Sequence, residues 1–180
     1  QSDTNSRRFA TRALDLAAAH LETAVTDPSL EARAAMSDAA HLAGKAIDIS
    51  FTTGAHAVSY KLTSAFGVPH GLAVALTLGA WVRYNGSVEK HDCLDPRGID
   101  SVRAAIETVS HSFGKNTVEE AADRFAALLR AIGCPTRLSD VGVGADDIDA
   151  LAESVNVDRL ANNPRRVTLE SLRQLLSECL

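Results

Sequence analysis

The sequence predicts an all-α domain, a bundle of about seven or eight helices. Three observations predict it. Apolar residues recur at intervals of three and four along most of the chain. Nowhere do four or more residues alternate convincingly between apolar and polar. Alanine and leucine are abundant while aromatics make up only 4 %, a composition that suits packed helices better than sheets.

Ala10, Leu14, Ala17, Leu21 and Val25 mark one buried face of a first helix. Asp27-Pro28 reads as a stop and a restart, with Asp27 as N-cap acceptor and Pro28 at the first helical position. The next helix follows Ala35, Ala39, Leu42, Ala46 and Ile49, its alanines suited to close helix–helix contact. A short third helix carries Thr53 to Ala65 and ends at Gly67. The fourth begins near His70 and is apolar nearly all round, which places it at the centre of the bundle.

Asn85 to Arg97 (NGSVEKHDCLDPR) reads as a polar loop. Val102, Ile106, Val109 and Phe113 mark another helix. Thr117 and Glu120 form a capping box before Ala121, Phe125, Leu128, Leu129 and Ile132, and Gly133 with Pro135 closes that helix. Shorter helices follow around Ile148 to Leu151 and from Leu169 to Leu176.

With 180 residues, 46 % hydrophobic and 23 % charged, the chain fits one domain with a self-sufficient core. A net charge of −5 and scattered basic residues exclude a general attraction to nucleic acid or an anionic membrane. The most apolar segment, Leu72 to Val82, is too short to span a bilayer, and the polar start QSDTNSRRFA has no signal-peptide pattern. Cys93, Cys134 and Cys179 are widely spaced, odd in number and without CxxC. They read as reduced thiols of a cytoplasmic protein, with no disulfide framework or zinc knuckle.

Of the six histidines, His20 and His41 sit within helices at the core edge or surface, His91 in a polar loop and His111 near a helix end. His56 and His70 differ. His56 has the small neighbours Gly54, Ala55 and Ala57, which leave room for a bound group. His70 is wedged between Pro69 and Gly71 and opens a helix. Proline fixes the approach of the chain there and glycine lets the backbone come close to whatever is bound. Two imidazoles on adjoining helices can converge on one borderline cation such as Fe²⁺ or Zn²⁺, or can serve packing alone. A metal site normally needs a third protein ligand, and the chain contains neither DxxxH nor HExxH. By spacing alone the pair is half of a site.

The stretch AHAVSYKLTSAFGVPHGLAVALTLGAWVRYN resembles the signature of the iron-containing (group III) alcohol dehydrogenase family. A histidine-bearing helix there leads to a Pro-His-Gly turn and an apolar helix ending in Arg-Tyr-Asn. LEARAAMSDAAHLAGKAI is similar to the family's preceding helix, and VNVDRLANNPRRVTLESLRQLL to its C-terminal "NNP" segment. The likeness runs from about Asp3 to the end of the chain. It implies that residues 1–180 are the metal-binding helical domain of a dehydroquinate-synthase-like fold, with His56 and His70 as two ligands of Fe²⁺ or Zn²⁺. Many members carry a further histidine four residues after the first ligand. Here that position is Tyr60, which makes Tyr60 the catalytic candidate, by hydrogen-bond donation.

Members also have an N-terminal Rossmann-like domain for NAD(P)H and an Asp-x-x-x-His pair that completes the metal site. This chain has no GGGS or GxGxxG turn, so the resemblance implies a nucleotide-binding partner domain in a missing segment or separate chain. A small aldehyde is the implied substrate, and a homodimer is compatible. A narrower likeness, in ISFTTGAHAVSYKLTSAFGVPHGLAVALTLG, is to the phosphonoacetaldehyde reductases of phosphonate biosynthesis, which form 2-hydroxyethylphosphonate. Such a dianion needs cationic or hydroxyl donors, for which Lys61, Thr52, Thr53, Thr63 and Ser64 are the local candidates. The alternatives are a reductase of another small aldehyde, or a non-catalytic helical remnant or assembly module. The chain alone is expected to lack dehydrogenase activity.

Overall fold

Helix signals in the sequence become nine α-helices in a computed structural model that describes residues 3–180, the Val157 side chain excepted. They are α1 (Thr4–Thr26), α2 (Leu30–Asp48), α3 (Gly54–Phe66), α4 (His70–Gly86), α5 (Ile99–Ser112), α6 (Val118–Ala131), α7 (Ile148–Glu153), α8 (Val157–Leu160) and α9 (Leu169–Ser177). Two one-turn 3₁₀ segments precede α7. Among the described residues there is no strand, only an isolated bridge between Cys93 and Arg165, so the all-α class holds. The helix beyond the expected number is the four-residue α8, too short to leave a period in the sequence. No helix among the described residues is long and apolar enough to cross a membrane.

The chain divides into two compact units. The first takes the residues up to Phe51 together with Glu107–Gly133. Here α1 packs on α2. Asp3 caps α1, its carboxylate accepting the Ser6 N–H at 2.7 Å. The stop and restart is real but differently made. Asp27 ends α1, its N–H still bonded to Thr23 O, because a residue before proline is steered out of the helical region. Ser29, not Asp27, caps α2 by accepting the Ala32 N–H at 3.1 Å, and Pro28 lies ahead of the cap. Ala32, Ala39 and Ala46 are buried at a spacing of seven, two turns apart, as expected of alanines in close helix contact. On α1 the expected face is only partly buried: Ala10 and Val25 are exposed, and Ser6 and Ala13 are the residues that bury. In α6 the capping box forms as expected, with Thr117 Oγ1 accepting the Glu120 N–H and Glu120 accepting the Thr117 N–H, both at 3.2 Å.

The second unit holds Thr52–Ile106 and Cys134–Leu180. Its core joins Val58 and Leu62 of α3, Ala73, Leu76 and Trp81 of α4, Leu151 of α7, and Leu172 and Leu176 of α9. Each fully buried large side chain of this kind contributes about 1.5–3 kcal/mol. α4 packs on α3 and α9, yet it is not enclosed on all sides, since Leu72, Val74, Leu78 and Ala80 stay half-buried. The loop after α4 starts later than expected, because Asn85 is still helical and buried. Asn85 exchanges two side-chain hydrogen bonds with Asn163, at 3.2 and 2.8 Å. This joins α4 to the segment before α9 across 78 residues.

Candidate metal centre

The start of α3 is set by packing. Gly54 lies under Trp81, and a Cβ there would fall 2.3 Å from the indole ring. Only glycine therefore lets α3 begin beneath that ring. Thr53 is the N-cap residue, and its carbonyl accepts the His56 and Ala57 N–H groups at 3.1 and 3.2 Å. His56 is thus fixed in the first turn of α3.

The end of α3 is an αL glycine cap. Gly67 is left-handed, with φ of 68°, and its N–H bonds Thr63 O at 3.2 Å while Val68 N–H bonds Leu62 O at 3.4 Å. Val68 and Leu62 are both buried beneath it. Four steps of chain from Phe66 to His70 span at most about 14 Å. They run back along α3 and bring His70 beside Ser59.

The two imidazoles meet edge to face, with ring centroids 5.6 Å apart. His56 is half-buried, and burial, with the neighbouring His70 ring, lowers its pKa from the ordinary 6.5, so it is neutral at pH 7. Fully buried Ser59 fixes the other ring. Its hydroxyl has one proton, which goes to His56 O at 2.8 Å. At the 3.3 Å contact with His70 Nδ1, Ser59 Oγ therefore accepts, and Nδ1 carries the proton. With the proton on Nδ1, the Nε2 lone pair is the one open to a ligand.

Tyr60, one turn along α3 from His56, sits with its ring 5.7 Å from the His70 ring. Its hydroxyl accepts a hydrogen bond from Arg159 Nη1 at 2.8 Å, and Arg159 Cζ lies 4.2 Å from the ring centroid. Of the other candidates, Thr53 is the half-buried N-cap residue of α3, with no side-chain cap hydrogen bond, Thr52 precedes it half-buried, and Thr63 and Ser64 are exposed. Helix geometry puts Lys61 about 140° round from His56. His41, His91 and His111 are exposed and His20 is half-buried on α1. All three cysteines are free; burial is the main cause that pushes the Cys179 thiol up to about 12, which makes it inert.

Sequence reasoning missed Ser59 and Arg159. Ser59 carries a signal: it is a polar residue one turn from His56 in an otherwise apolar buried stretch, Ala55, Ala57 and Val58. Arg159 carries none, because nothing periodic connects position 159 to position 60.

Residues 3–180 match the model of the Fe-containing alcohol dehydrogenase family, C-terminal part. The chain belongs to the iron-containing alcohol dehydrogenase family. It is 39% identical over 180 residues to phosphonoacetaldehyde reductase of Streptomyces viridochromogenes, covering 99% of this chain and 44% of that protein. It superposes on alcohol dehydrogenase from Oenococcus oeni with a TM-score of 0.85 at 25% identity, covering 99% of this chain and 46% of that one. It also superposes on sulfoacetaldehyde reductase from Bifidobacterium kashiwanohense in complex with NAD+, with a TM-score of 0.78 at 28% identity over 99% and 44% of the two chains. The chain spans less than half the length of these relatives.

The iron that the family name implies is chemically compatible with this pair. Two imidazoles, one held neutral by its surroundings and one with a fixed tautomer, suit a borderline divalent cation. Among the described residues no group of three or more His, Cys, Asp or Glu side chains converges. A complete site takes about four ligands including an open position, so His56 and His70 could supply only part of one.

Proposed function

We propose that this chain is the metal-binding helical half of an NAD(P)H-dependent aldehyde reductase. Its substrate is phosphonoacetaldehyde and its product 2-hydroxyethylphosphonate. Residues 1–180 form one functional domain in this reading, with the nucleotide-binding domain and the remaining metal ligands supplied from outside them. The single observation that carries the proposal is the convergence of His56 and His70, 5.6 Å apart between ring centroids, with Ser59 bonded to His70 Nδ1. A helical remnant without chemistry gives no reason for that buried hydroxyl to hold one tautomer. Identity of 39% to a phosphonoacetaldehyde reductase supports the substrate, and a fold neighbour that acts on sulfoacetaldehyde supports an anionic aldehyde in general.

When bound, an Fe²⁺ or Zn²⁺ ion supplies Lewis acidity toward a carbonyl oxygen. His56 and His70 would hold it through their imidazole nitrogens. Ser59 keeps Nδ1–H of His70 engaged, which leaves Nε2 as the nitrogen for a ligand. The Tyr60 hydroxyl, whose oxygen already accepts from Arg159, retains its own O–H to donate to a substrate oxygen. A bound nicotinamide would supply the hydride, and this half of the enzyme would orient the aldehyde toward it.

The test is steady-state NAD(P)H oxidation. The complete enzyme, with its nucleotide-binding portion, is expected to turn over phosphonoacetaldehyde; the 180 residues alone are expected to be inactive. Robust turnover by the 180 residues alone, or none by the complete metal-loaded enzyme with any small aldehyde, contradicts the proposal.

A further inference from the structure

Arg159 is placed like a ligand-binding group. It stands on the four-residue α8, its guanidinium laid over the Tyr60 ring at 4.2 Å and anchored by the 2.8 Å bond from Nη1 to the Tyr60 oxygen. Tyr60 in turn lies against His70 at 5.7 Å between ring centroids. Among the described residues no carboxylate pairs with Arg159, in contrast to Arg97, Arg124, Arg165 and Arg173, each of which is bonded to one. One of its five N–H donors is engaged with Tyr60, leaving four in a planar fork.

From this we infer that Arg159, on its Tyr60 platform, is the subsite for the anionic tail of the substrate. The inference rests on the aldehyde-reductase reading of the neighbouring histidines and narrows it to aldehydes carrying a phosphonate or comparable oxyanion. An unpaired guanidinium in a fixed plane presents parallel N–H donors, the arrangement that grips two oxygens of an oxyanion at once. The Tyr60 ring neighbours both groups, 5.7 Å from the His70 ring and 4.2 Å from Arg159 Cζ, so the proposed anion subsite and the histidine pair share one aromatic residue. Stacking on the tyrosine spends little side-chain entropy at the moment of binding, because the fork is already held.

Three measurements test it. The first compares phosphonoacetaldehyde with propionaldehyde in the complete metal-loaded enzyme, wild type and Arg159→Met. The ratio of kcat/KM for the anionic over the neutral aldehyde is expected to fall about a hundredfold, mainly through KM, and Arg159→Lys to restore part of it. An unchanged ratio, including equal loss with both aldehydes, overturns the subsite. The second follows the full 180-residue chain by NMR as methylphosphonate is added without metal. Shifts of the Arg159 Nε–H and Tyr60 ring signals that vanish in Arg159→Met support the subsite even if the complete enzyme proves not to reduce phosphonoacetaldehyde. Their absence in the wild type overturns it even if that activity is found. Competition of methylphosphonate with the aldehyde, and not with NAD(P)H, marks the tail as the substrate's; competition with NAD(P)H overturns the assignment in favour of a cofactor phosphate.

Discussion

The second unit contains two tyrosine–arginine pairs that start alike and end differently. Arg165 lies 4.4 Å from the Tyr84 ring centroid and Arg159 lies 4.2 Å from that of Tyr60. Around Arg165 the fold supplies partners, a carboxylate among them. Its Nε bonds Asp92 at 2.7 Å and its Nη1 bonds Tyr84 O at 2.9 Å, while the Tyr84 hydroxyl bonds Arg166 O. Arg166 N–H meets Asp92 O at 2.7 Å and Leu94 N–H meets Pro164 O at 2.8 Å, closing the loop after α4 onto the segment before α9. Among the described residues, the Arg159 side chain engages only Tyr60. Stacking on an aromatic ring therefore does not decide what an arginine is for. Whether the fold also supplies the counter-charge does: supplied, the pair is a clamp; withheld, the charge faces outward beside the histidines.

The difference can be broken from either end. The largest effect is expected from Gly54→Ala, which drives a methyl into the Trp81 indole, itself packed edge to face on Tyr84 at 5.8 Å. That change disturbs the clamp and the His56 turn together, and a loss of about 3 kcal/mol in urea unfolding is expected. Next comes Asp92→Ala, which leaves the Arg165 charge without its partner in a largely buried place and is expected to cost about 2–3 kcal/mol. Its pH dependence has a definite sign. Burial raises the Asp92 carboxyl, but the bond from Arg165, the Glu89 N–H and the positive charges nearby outweigh burial and hold it below the ordinary 3.8. The stabilisation is therefore complete above the unfolded value near 3.8 and is lost as pH falls through the lower folded value. Unfolding midpoints between pH 6 and pH 3 are expected to flatten in Asp92→Asn relative to wild type.

A smaller effect is expected at Ser59→Ala, where His70 loses the acceptor for its Nδ1–H. Affinity for a divalent cation in the complete enzyme, read by competition with a chelator, is expected to fall roughly tenfold. The smallest is the stability of Arg159→Met, expected within about 0.5 kcal/mol of wild type because no ion pair is broken. A loss as large as that of Asp92→Ala erases the contrast between the two pairs.

What could be read from the sequence was what is local. Gly67, Pro69 and the apolar run after His70 define the end of α3 and the start of α4 within a few residues, because a left-handed glycine and a proline act on their own neighbours. The capping box at Thr117 is legible for the same reason. Asp27-Pro28 was misread because two cap acceptors compete there, and Ser29 Oγ is the one that reaches a free N–H. The face of α1 was misread because its periodic row says which residues share a side, not how much of that side is covered. The clamp was invisible: Asp92 and Arg165 are 73 residues apart, and no pattern links them. The same holds for Arg159 and Tyr60, 99 residues apart. The histidine pair was legible as a pair, while the tautomer that Ser59 imposes needed coordinates.

The most direct test of the central claim, that His56 and His70 act as one cation site, is long-range ¹H–¹⁵N NMR of the imidazoles during titration with Zn²⁺. Before metal, His70 is expected to carry its proton on Nδ1. On titration, one ring nitrogen of each histidine is expected to shift in step to a single shared equivalence point, and His70→Ala to remove the response of His56. Independent responses of the two rings, or no response below the level of nonspecific binding, contradict the claim.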